Sequence, residues 1–557
     1  MIGVISKDSE ITIVQEFFQL FKTPWEFYVP HHRYDIVIIT SIEIPAKLSA
    51  NVLAIYNSKG TGFDHEIGIT IQSERKCEWL EWEGVEFPVY GDVAVFQPAG
   101  RTFVRRRGKS EIAGLEVRES TRQIVRIGYD LFQEVSFLLS KGQPPENAHI
   151  PTLEVHISLL RGIMVSAGVS FVEVPPVPAG YDFAACLTHD VDFTGIRGHK
   201  FDHTMWGFIY RAFAGSLIYA LRKRMPWSKL LQNWKAVCSL PLVYLGLQDD
   251  FWLEFDRYLQ IENGLGPTFF FIPFKNFAGV RASGAAPKRR AAKYDVAEIK
   301  DQVRELVKRG CEVGVHGIDA WHNSQKGHAE LSRIRGVTGQ SEFGVRIHWL
   351  YFTEGSPKTL EEAGFSYDST FGYNDGVGFR GGTTQVFCPP TAETLLELSL
   401  NIQDTAMFYP SRMNLSEAEA LNSCRQLIHF SSLFGGALTV NWHTRSLSPE
   451  RLWGDFYKSL LKEIQNYHVW FGRAEEIVKW FRKRRALRFD RVQFAGGRFH
   501  LKLTCPTLDG QPPFVLRVHR PKFTVSADGA SPALVPVYFD IPWKGEAELE
   551  IAFPNSN

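Results

Sequence analysis

Apolar positions follow three successive regimes along the chain. From residue 1 to about 175, short β-rich runs such as Tyr34-Asp-Ile-Val-Ile-Ile-Thr40 and Val93-Ala-Val-Phe96 stand among stretches of helical spacing, one of them Arg122–Leu139. This pattern predicts an N-terminal α/β unit. The segment Val174-Pro-Pro-Val-Pro-Ala-Gly180 can continue neither a helix nor a central strand, and predicts a linker. Between 180 and 485, solidly apolar runs of strand length (Phe183–Thr188, Thr268–Ile272, Glu312–Val315, Ala437–Asn441) alternate with helical segments such as Val296–Lys308. Strands without a polar face are buried on both sides, so the pattern predicts a parallel sheet, open or closed into a barrel. The helix Ala474–Arg485 closes this unit with a basic run suited to a helix C-terminus. From 486 to 557 the period shortens to two in Phe499–Thr504, Phe514–Val518 and Glu546–Phe553. Asp509-Gly and Asp528-Gly supply turns, so a small antiparallel β-sandwich is expected.

Composition narrows the class. With 44% apolar and 22% charged residues in 557, the chain is a folded protein of several domains. A formal net charge of +1 gives no global field toward nucleic acid. The start lacks a basic region followed by an apolar run, and no stretch of eighteen apolar residues occurs. Seven cysteines are scattered without C-x-x-C spacing, which reads as reduced thiols. Cytoplasmic localisation is the resulting expectation.

The candidate chemistry lies at strand ends. Thr188-His-Asp-Val-Asp192 follows a buried strand, and residues two apart in extended chain project to one side, so Asp190 and Asp192 can divide the work of binding a metal and taking a proton. Read alone, it could equally be a solvated turn. One βα unit later comes Glu312-Val-Gly-Val-His-Gly-Ile-Asp-Ala-Trp-His322. A lone histidine here is more often structural, but a histidine pair with Asp-x-Asp suits a catalytic zinc. Gly344-Val-Arg-Ile-His-Trp349, Tyr367-Asp-Ser-Thr370 and Thr439-Val-Asn-Trp-His443 follow, each weak by itself.

Taken in order, these five segments resemble the motifs of the polysaccharide deacetylases, the NodB-type carbohydrate esterase family 4, over roughly residues 180–485. The resemblance implies a distorted (β/α) barrel and a divalent metal, most often zinc, held by Asp192, His316 and His322. It further implies Asp190 as base, kept in place by Arg346, His443 as acid, and the backbone near Trp349 at the oxyanion. Asp404 or Asp368 is the candidate carboxylate partner of His443. Two departures stand out. The histidines are six apart where the family has four, which leaves Asp319 as an alternative to His322, and His348 stands where proline is usual.

The implied activity is hydrolysis of an acyl group, N-acetyl foremost, on an amino sugar of a glycan or lipid-linked glycan precursor, as in exopolysaccharide assembly. A deformylase, an O-acetyl esterase, and a non-catalytic carbohydrate-binding protein on a decayed site are the alternatives. An aromatic and basic insert, Trp206 to Trp227 and on to about 235, reads either as a helical cover on the barrel rim, the preferred reading here, or as an interfacial membrane helix.

Overall fold

The computed structural model describes residues 1–552 except 46, 120–121, 223–224, 253–254, 506, 508–509, 521–537 and 544. The turns anticipated at Asp509-Gly and Asp528-Gly lie outside the described residues, as do Lys223 and Arg224 of the insert.

The N-terminal unit is built on a nine-stranded mixed sheet. Five strands run parallel, in the spatial order Trp25–Phe27, Ile2–Ile5, Tyr34–Ile39, Ala50–Tyr56 and Arg122–Ile127. The stretch Arg122–Leu139, expected to be helical, divides in two. The β-branched Arg122–Ile127 pairs with Ala50–Tyr56, and a helix begins only at Leu131, where Asp130 caps the amides of Phe132 and Gln133 at 3.1 Å. Helical spacing was present, but sheet pairing claimed its first half.

A second sheet of nine strands carries the site. All its pairings are parallel, with Phe183–Val191 central between Thr268–Phe271 and Ala437–Asn441, and Glu312–Gly317, Gly344–Ile347 and Tyr367–Asp368 following on one side. Its two edges, Leu396–Glu397 and Ile402–Gln403, are joined by only residues 398–401. Five peptide steps span at most about 18 Å, whereas eight strands laid flat would extend about 34 Å. The sheet is therefore rolled into a barrel, with the amides of Leu398 and Asn401 bonding Asp368 and Thr439 across the gap.

The three-part division with boundaries at 175 and 486 is not three separate cores. Phe171–Glu173 pairs with Phe514–His519, and one apolar cluster runs from Val172 and Val174 through the barrel strands to Leu501, Phe514 and Trp543. The described C-terminal region supplies five strands to two three-stranded sheets, one of them completed by Phe171–Glu173, instead of a free-standing sandwich. Buried Arg484 explains the proline segment and the basic run together: it donates to the carbonyls of Val174, Gln19 and Leu20, while Arg485 pairs with Glu16 at 2.7 Å. Arginines placed to suit a helix dipole here join the first helix to the last.

Candidate active site

Residues from separate barrel strands meet at the carboxyl ends. Asp190 ends the Phe183–Val191 strand and Asp192 follows it. His316 and Arg346 are register partners on neighbouring strands, and His348 lies two residues beyond Arg346, on the same side. His443 follows the Ala437–Asn441 strand on the other flank.

Three donor atoms converge. His316 Nε2 lies 3.3 Å from Asp192 Oδ1, His348 Nδ1 lies 3.2 Å from the same oxygen, and the two nitrogens are 2.9 Å apart. Backbone carbonyls decide which ring nitrogens carry a hydrogen. His316 Nδ1 donates to the Arg346 carbonyl at 2.9 Å and His348 Nε2 to the Arg290 carbonyl at 3.1 Å, since a carbonyl can only accept. Burial, against the pull of Asp192, pushes His348 down to about 4, so at neutral pH its Nδ1 presents a lone pair. Oδ1 of Asp192 is buried without a hydrogen-bond donor. A cation among these three atoms, two ring nitrogens and a carboxylate oxygen, would draw them together. Zinc bonds of 2.0–2.2 Å in a tetrahedron put ligand atoms roughly 3.3 Å apart, and this set fits.

His322 and Asp319 do not belong to this group. Asp319 accepts from the Val280 amide at 2.9 Å and from Lys326 at 2.7 Å, and the His322 ring turns to it at 3.4 Å. Asp319 anchors the 279–280 loop; the position the family pattern gives to proline, His348, supplies the third donor. The signal was present in Arg346-Ile-His348, whose two-residue spacing puts both side chains on one side of the strand.

Asp190 stands beside the three donors. It receives Arg346 Nη1 at 3.0 Å and Asn441 Nδ2 at 2.8 Å, and its Oδ2 is 3.9 Å from His316 Nε2. Burial works against its charge, but Arg346, His316 and His443 outweigh it and leave the carboxyl below its ordinary value. Arg346 is itself fixed by Thr188 at 2.7 Å, by the Ser369 hydroxyl at 2.8 Å and by the Phe270 ring, 4.6 Å from its guanidinium. Gly314 makes room for that ring: a Cβ there would fall 2.6 Å from it. Thr188, Ser369 and Asn441 lie within the segments singled out in the sequence but were given no role there, because each acts through a partner on another strand.

Across the mouth, His443 Nδ1 bonds Asp404 Oδ1 at 2.6 Å, and Asp404 also takes the His443 amide and the Ser446 hydroxyl. Burial opposes charge on His443, but Asp404, with Asp192 and Asp190, raises it to about 9. Its Nε2 lies 4.0 Å from Asp190 and 3.9 Å from Asp192. Of the two candidate partners of His443, the structure brings up Asp404. Asp368 instead bonds Thr370 and sits beside Glu397, its carboxyl pushed up by burial to about 6.

Trp349 and Leu350 both take left-handed backbone, φ 63° and 51°, at the turn after His348. Such strain in bulky residues, of order 1–3 kcal/mol each, persists where surrounding structure imposes it. Asn374 bonds the Trp349 carbonyl at 2.8 Å, and beyond this turn opens a cleft of about 720 Å³ lined by Leu350, Tyr373, Asn374 and, from the N-terminal unit, Tyr90, Phe137 and Lys141.

No family model and no curated protein matches the chain. Among solved structures it is similar to a Mycobacterium smegmatis protein assigned to the polysaccharide deacetylases, at 18% identity and TM-score 0.33, covering 56% of this chain and 95% of that one. It is also similar to the carbohydrate deacetylase Agd3, at 9% identity and TM-score 0.38, covering 100% and 98%. A family 4 pseudoenzyme from Bacillus anthracis matches at 13% identity and TM-score 0.27, covering 55% and 68%.

Proposed function

We propose that this protein is a metal-dependent hydrolase that removes an acyl group, N-acetyl foremost, from an amino sugar of a glycan. The observation that carries this reading is the convergence of Asp192 Oδ1, His316 Nε2 and His348 Nδ1 next to a carboxylate and an imidazole of opposite charge. A divalent ion held by those three atoms would polarise the acyl oxygen and make water a better nucleophile. Asp190, ionised and clamped by Arg346, takes the proton of the attacking water. His443, kept protonated by Asp404, gives its proton to the leaving nitrogen as the bond from the acyl carbon to nitrogen breaks, releasing carboxylate and amine. The same groups would serve an O-acyl ester or a formamide, with oxygen or the formamide nitrogen receiving the proton. Aromatic side chains interleaved with polar ones in the cleft beyond Trp349 suit a carbohydrate.

The test joins elemental analysis of protein purified without chelator to a screen for acetate release from amino-sugar oligomers. One equivalent of zinc or a similar ion, and release that stops with chelator and returns with metal, is the expected result. Protein that neither holds a metal nor gains activity when supplied with one would overturn the reading.

A further inference from the structure

The insert between the first two barrel strands is built unlike the rest of the surface. The helices His203–Tyr210 and Ser216–Leu221, joined through a π turn, fold back against Trp227–Tyr244 around a small core of Phe208, Ala212, Ala236, Leu240 and Val243. A water-facing helix that buries one stripe carries polar residues on the other. Here the outer stripe is apolar as well. On the long helix Trp227, Leu231, Cys238 and Leu242 recur outward at helical spacing, continued by Leu245; on its partner Trp206, Tyr210, Phe213 and Leu221 do the same. Leu221, Leu231 and Leu245 are 66%, 64% and 72% exposed. Of the 21 large apolar side chains exposed among the described residues, 12 fall between 201 and 247, so the apolar surface is concentrated here.

Charge points the same way. Residues 203–244 contain six Lys or Arg and no Asp or Glu, in a chain whose overall balance is +1. Lys200, Arg222 and Lys235 stand exposed beside the apolar stripes. No described helix is long and apolar enough to cross a membrane. An apolar face rimmed by cations, on helices not long and apolar enough to span, is the make-up of a helix that lies in the headgroup layer of an anionic bilayer.

We propose that this helical hairpin docks the protein on an anionic membrane surface. Its base is fixed to both flanks of the site. Asp250 takes the amides of Ile196 and Arg197, a few residues beyond Asp192, at 3.0 Å, and Trp252 stacks on the guanidinium of Arg445, two residues beyond His443, at 3.9 Å. Docking would therefore hold the site near the bilayer. Given the deacylase reading above, on which this one consequence rests, the glycan it meets there would be lipid-linked.

The full chain is sedimented with vesicles of phosphatidylcholine alone and with vesicles containing one quarter phosphatidylglycerol. Binding at least tenfold stronger to the anionic vesicles, weakening as salt is raised, is expected. L221E/L231E/L242E, checked for an unchanged unfolding midpoint, loses that binding tenfold or more, and R222Q/K235Q loses part of it. Hydrolysis of a small water-soluble substrate stays at the parent level in both variants, so failure to bind vesicles and failure of the deacylase reading are read separately. The proposal is overturned if neither vesicle retains the parent or if the triple variant binds as well as the parent. It also fails if the parent is a dimer that the triple variant dissociates, since the face then seats a second copy.

Discussion

Two buried arginine–aspartate pairs in this molecule look alike and serve different ends. Arg126, near the carboxyl end of a parallel strand in the N-terminal sheet, lies over the Phe96 ring at 5.0 Å and grips Asp64 at 2.8 and 3.3 Å. Arg346, placed likewise in the barrel, lies over Phe270 and grips Asp190. The difference is in what remains. Arg126 gives its other hydrogens to the carbonyls of Asn57, Lys59 and Ile127, and Asp64 takes the Thr61 amide, which closes the network on itself. Asp190 keeps an oxygen facing the His316 and His443 rings, beside an Asp192 oxygen that has no donor. A closed buried network specifies structure; one that leaves a carboxylate oxygen turned toward two imidazoles is what the proposed chemistry needs.

Breaking each pair sharpens the contrast. Asp190→Asn should lower turnover by about a hundredfold to ten-thousandfold, the range of a lost general base, with metal content and unfolding midpoint near the parent's. If Asp190→Asn lost its metal while Asp192→Asn kept it, the roles of the two aspartates would be exchanged. Arg126→Met strands a buried carboxylate and should destabilise the protein by about 3–5 kcal/mol, read from denaturant unfolding, while turnover per folded molecule is unchanged. Should it instead inactivate folded protein, the N-terminal sheet would have a part in the chemistry.

Two smaller effects test the donors themselves. His348→Ala should weaken metal binding by more than the 10–100-fold typical of outer contacts, whereas His322→Ala should leave it within about twofold by competition with a chelating dye. The reverse outcome would restore the six-residue histidine pair. Asp404→Asn removes the chief partner that raises His443. A proton donor works below its pKa, so activity falls as pH rises through that value. Losing Asp404 should move this alkaline limb to lower pH and reduce turnover about tenfold at neutral pH. An unmoved limb would assign it to another group.

Much of this was determined by the sequence alone. Unbroken apolar runs require strands buried on both faces, and Asp190, Asp192, His316, Arg346 and His443 stand at or just past the ends of such strands. A parallel sheet brings those ends to one edge, so strand pattern and motif order sufficed to gather five side chains. What the sequence left open depended on contacts between residues far apart in the chain. The third member of the candidate metal group is set by which ring nitrogen a carbonyl occupies. For His348 that carbonyl belongs to Arg290, 58 positions away, while the loop anchored at Asp319 turns His322 aside. The core continuous across residue 486 arises because Phe514–His519 pairs with Phe171–Glu173 and Arg484 joins both ends of the chain. In the insert, local spacing gives two apolar stripes, and only packing decides which one is buried. Period and residue type are local and fix elements; partner choice is set by the closed barrel, which no window of sequence contains.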